Sequence, residues 1–143
     1  MNRHKYLRAY MAGIVVPTIV LVIGVTVFCI ARYVYDFPIP LERVMIFPMA
    51  VVPNLWGLWN MLFIASHERT HLPIGFHGAL LPFLLGPLGI WLTLAIDFRI
   101  PGFATHIFPI LALVGLTAYY LVWKYVVSFL NTVLGIADRK SVV

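Results

Sequence analysis

The chain has 143 residues, of which 62% are hydrophobic and 10% charged, and its formal net charge is +5. Soluble domains run near half apolar and a quarter charged, and a fold of this size cannot hide so much apolar surface. The composition therefore excludes a soluble enzyme, a free nucleic-acid-binding domain and a disordered chain, and it makes lipid the expected solvent.

A helix needs about 20 apolar residues to cross a hydrocarbon core about 30 Å thick. Four stretches meet that length, at residues 10–31, 44–66, 78–96 and 104–127. The first, from Tyr10, holds Pro17 and no charge. Arg3, Lys5 and Arg8 precede it like the basic region of a signal peptide. The run is too long for such a peptide and ends without a small-x-small cleavage site, so an uncleaved anchor is expected. Charge and Phe37-Pro38-Ile39-Pro40 close it. The second span starts at Val44, carries Pro48 and Pro53, and stops at a polar turn, His67 to His71, before Pro73. The third starts at Gly78, carries Pro82 and Pro87, and ends at Asp97–Arg99 and Pro101-Gly102. Charge ends burial, and Pro or Gly turns the chain back. The fourth starts at Ala104 and carries Pro109. Beyond Trp123 it either continues past a snorkelling Lys124 or gives way to an interfacial helix, ending in a short amphipathic tail to 143.

These readings predict one all-α domain over 1–143: a polytopic membrane protein with four helices in a kinked, proline-containing antiparallel bundle. Lys and Arg set orientation. The side holding both termini and the middle loop has seven of them: Arg3, Lys5, Arg8, Arg69, Lys124, Arg139 and Lys140. The other side has three, Arg32, Arg43 and Arg99. Both termini are therefore expected in the cytoplasm, and the location is a prokaryotic inner membrane. The lone Cys29 makes no internal disulfide. Prolines five apart followed by a tryptophan occur in both the second and third spans, a faint internal echo of the repeats that build some transporters.

Two clusters carry possible chemistry. In the second span Pro53 precedes Asn54, and Trp56, Trp59 and Asn60 follow. A proline frees a backbone carbonyl, and an asparagine in lipid must find a partner. These four side chains are a candidate ligand site; the competing reading is that Asn54 and Asn60 bond neighbouring helices. The Pro-Asn pair resembles the Pro-Gln pair of small transporters of the Pro-Gln-loop type, whose units have three spans where this chain has four.

The second cluster, His67-Glu68-Arg69-Thr70-His71, is a literal H-E-x-x-H. Two histidines four apart share a helix face and can grip zinc, with the glutamate as general base. It resembles the zincin signature and the intramembrane metalloproteases, which implies His67 and His71 as metal ligands and Glu68 as base. His77 is a possible third ligand. Pro73 limits the helix around the motif, and the plainer reading is a solvated turn whose cations meet lipid phosphates.

No carboxylate falls inside a span, and there is no phosphate loop, CxxC, haem motif or Ser-His-Asp set. The expectation is a non-enzymatic transporter or channel-like unit, or an accessory subunit of a membrane complex, with no cofactor. Its partners are lipid and copies of itself or a larger complex, not nucleic acid. The alternative is a membrane-embedded metal-dependent hydrolase built on the histidine turn.

Overall fold

The computed structural model describes residues 4–95 and 108–136. Among these residues every regular element is helical, and four helices are long and apolar enough to cross a membrane. The expected break at Asp97–Gly102, the start of the fourth span at Ala104 and the tail beyond Ile136 lie outside the described residues.

Helix α1 spans Lys5–Tyr35 and runs unbroken through Pro17. It extends past the uncharged run at both ends, where Arg8 donates to the Leu134 carbonyl and Arg32 to the Ile39 carbonyl. Asp36 ends it in a left-handed conformation (φ 52°). The Phe37–Pro40 segment then folds back beneath it. Ile39, with Leu41 and Val44 of the one-turn helix α2 (Leu41–Val44), is buried against Val25, Phe28, Cys29 and Ala31 of α1.

The second span is composite. After α2, a wide turn at Met45–Ala50 is interrupted at Phe47, whose dihedrals are extended (φ −139°, ψ 128°), and the Phe47–Pro48 peptide is cis. The residue before a proline is pushed out of the helical region, which puts the interruption at Phe47. Helix α3 then covers Val51–Thr70. Pro53 lies in its first turn, where no helical amide is needed.

Helix α4 spans Ile74–Ala95 and contains Pro82 and Pro87. Helix α5 spans Phe108–Leu121; a π-helical turn, Val122–Val127, carries it into α6, Ser128–Val133. The fourth span thus continues through Lys124. The Lys124 ammonium lies 5.6 Å from the ring centres of both Tyr120 and Tyr125, where the ring faces attract it. Gly135 ends the helix with φ 63°, a conformation that costs glycine little. Its amide bonds the Thr132 carbonyl, and the Ile136 amide bonds that of Asn131, the paired closure of a Schellman end.

The core lies where α1, α3, α4 and the α5–α6 segment meet. Ala9, Ala12, Trp56, Phe63, Leu81, Trp123 and Val127 are buried there. Close approach of α1 to α3 depends on small residues: a methyl placed on Gly13 would stand 2.6 Å from the Trp56 carbonyl oxygen and 2.8 Å from the Gly57 Cα. Much of the outer surface is apolar as well. On α1, Ile19, Val20, Ile23 and Val34 are each more than half exposed. In water such a face is a liability, whereas in hydrocarbon it costs nothing.

Candidate functional site

Successive helical residues step by about 100°, so Trp56 and Asn60 share one face of α3 while Asn54 points about 160° away from Trp56. The four candidate side chains of this helix consequently meet different neighbours.

Asn60 is fully buried. Its amide nitrogen donates to the Ala9 carbonyl at 2.7 Å and to Asn131 Oδ1 at 2.8 Å, and the Asn131 amide returns a bond to Asn60 Oδ1 at 3.1 Å. One side chain thus joins α1, α3 and α6. Asn54 is exposed. It accepts a hydrogen bond from the Tyr10 hydroxyl and donates at 2.7 Å to the Ala50 carbonyl one turn earlier. Trp59 donates its indole N–H to the His77 carbonyl at 2.9 Å, and His77 Nε2 donates to the Trp59 carbonyl at 3.1 Å. Their rings stack at 4.9 Å, pinning α3 to α4.

Trp56 is the centre of a third arrangement. It lies 5.0 Å from the Tyr119 ring and 5.4 Å from that of Trp123. Its indole N–H donates to the Tyr119 hydroxyl over a long 3.4 Å. Trp123 is fully buried, with its own indole N–H unpaired among the described residues.

Two apolar crevices open on either side of Tyr119. One, of about 410 Å³, is lined by Val16, Pro17, Val52, Trp56 and Val122 between α1, α3 and the end of α5. The other, of about 560 Å³, lies between α4 and α5 and is lined by Pro82, Phe83, Gly86, Ile90 and Gly115. Neither lining contains a charged residue. Of the candidate ligand residues, Trp56 lines one of these two crevices, and Asn54, Trp59 and Asn60 line neither.

The histidine turn is a helix terminus. Helix α3 ends at Thr70, and His71 takes a left-handed conformation (φ 51°), its amide bonding the His67 carbonyl at 3.0 Å. Pro73 accounts for this ending, since it cannot donate and disfavours a helical residue before it. The His67 ring packs 4.9 Å from that of Phe63, while His71 is exposed. His77 packs on the same Phe63 at 5.2 Å. The side chain of Glu68 lies outside the described residues. Among the described residues no three His, Cys, Asp or Glu side chains converge as a metal-holding group.

The residues that the linear pattern did not single out are Asn131, Tyr10 and Tyr119. Asn131 had a signal. It stands four residues after Val127 and three before Leu134, on the apolar face of its helix, where an amide needs a buried partner. Tyr119 had none, because tyrosines near span ends are expected at interfaces for other reasons. Comparison with models of protein families, with curated proteins and with solved structures finds no match for this chain.

Proposed function

We propose that the chain is a non-enzymatic integral membrane protein that crosses a prokaryotic inner membrane four times, with both termini in the cytoplasm. On this reading it serves as an accessory subunit of a larger membrane complex. The observation that carries the reading is what its polar groups bond. Asn60 and Asn131 bond each other and Ala9, Trp59 bonds His77, and Asn54 bonds Tyr10 and Ala50. Polar side chains inside a bilayer either line a path or hold helices together. Here they hold helices, and the crevices beside them are apolar. Neither crevice offers charged walls for a hydrophilic path.

The test is to tag the chain in its own cells, solubilise in mild detergent and weigh the native particle. A stoichiometric second polypeptide in a particle well above the mass of this chain in its micelle is the expected result. Passage of ions or small solutes through vesicles holding this chain alone would overturn the reading in favour of a channel or transporter.

A further inference from the structure

We propose that the groove between α4 and α5 binds one neutral, membrane-dissolved ligand with an apolar tail and a carbonyl head, the chemical class of the alkyl and isoprenoid quinones, with the Tyr119 hydroxyl as its hydrogen-bond donor. The proposal does not rest on the subunit reading above.

The shape of the groove selects the tail. Its lining is apolar on both helices, and from Pro82 to Ile90 it follows α4 for about 12 Å. Gly86 and Gly115 face it from α4 and α5, and a methyl added at either would meet nothing within 4 Å. The two helices therefore stand apart here. At Gly78 they close, and any Cβ would run into the Trp123 ring. A volume near 560 Å³ falls in the range of small-molecule sites.

Tyr119 selects the head. It is the one residue with a polar side chain in the lining. Its oxygen already accepts the Trp56 indole N–H, so what it offers a ligand is its proton, and no acceptor for that proton occurs among the described residues. The ligand must therefore bring an acceptor. The absence of charge in the lining rejects ions, sugars and amino acids, whose desolvation nothing would offset. Depth rejects the ester carbonyls of phospholipids. Tyr119 shares the lining with Pro82, eight residues or about 12 Å along α4 from Ile74, where the candidate span begins. Ester groups stay in the headgroup region, whereas the head of a neutral lipid can descend to that level.

The experiment places the full chain in phospholipid nanodiscs and titrates a decyl-tailed benzoquinone while following tryptophan emission. Wild type should quench with a saturable component. Tyr119→Phe, which removes only the hydroxyl, should weaken it about fivefold. Gly115→Phe, which fills the groove and leaves the Tyr119–Trp56 pair in place, should abolish it with an unchanged melting temperature. Decylbenzene, which lacks the acceptor, should fail to compete. Linear quenching in wild type would mean bulk lipid fills the groove and would overturn the proposal. Saturable binding that survives Gly115→Phe would overturn it too, as would equal competition by decylbenzene. Should Tyr119→Phe fail to fold, the Gly115→Phe and decylbenzene arms still decide.

Discussion

Asn60 sits where water does not reach, so each hydrogen bond it lacks is a hydrogen bond nothing replaces. Asn60→Leu should lower stability by about 1–2 kcal/mol in detergent unfolding, and Asn131→Leu by a similar amount. The double variant should cost clearly less than the two together, because each single change strands the other amide. Strict additivity would show that the pair is not coupled. Asn54→Leu should cost less than about 1 kcal/mol, since its side chain is exposed and, among the described residues, bonds Tyr10 and its own helix. The histidines also invite a measurement. His67 rests on Phe63, His71 is an exposed cap, and His77 Nε2 is engaged by the Trp59 carbonyl. Purified protein should carry no stoichiometric zinc, and Glu68→Gln should leave its melting temperature and metal content unchanged. One zinc per chain that disappears in His67→Ala would restore the hydrolase reading.

At the scale of elements, the α1–α3 crossing is the joint that small residues make possible. Gly13→Leu should destabilise by about 1–3 kcal/mol, as overpacking does, because the contact it would meet is backbone and cannot swing aside. Gly24→Leu, on the same helix with nothing within 4 Å of its would-be Cβ, should be nearly silent by the same unfolding assay. The existence of four apolar helices was legible from run length alone, since hydrocarbon thickness sets one number that every span must meet. Their ends were less so. Lys5, Arg32 and Arg69 mark where apolar runs stop, but charged side chains continue a helix when they can reach out of the bilayer. The turn at His71 followed from Pro73, a local steric rule. The candidate ligand site was only partly legible: Asn54, Trp56, Trp59 and Asn60 are close in sequence, yet rotation around α3 sends them to different partners. Apart from Ala50, one turn before Asn54, those partners are 18 to 71 residues away, and no local pattern names them.

The whole molecule is tied together at the ends of its sequence. Arg8 Nη1 reaches the Leu134 carbonyl at 3.4 Å, and Ala9 shares Asn60 with Asn131. Reporter fusions at Val143 and within Phe37–Leu41 should report the cytoplasm and the opposite side respectively, as the charge count demands; reversed activities would invert the topology. The amide pair also has a meaning in time. Asn60 leaves the ribosome 71 residues before Asn131, so at about 5–20 residues per second its amide waits roughly 4–14 seconds for its partner. Once Ala95 has followed, about halfway through that interval, the first three helices have been synthesised but lack the group that closes their junction. Emergence of Asn131 is then a checkpoint for the half-built protein: a chain stopped at Leu130 should be cleared by membrane proteases within a short pulse-chase, while one stopped after Ile136, with the amide and the Schellman closure both in hand, should persist like the 143-residue chain.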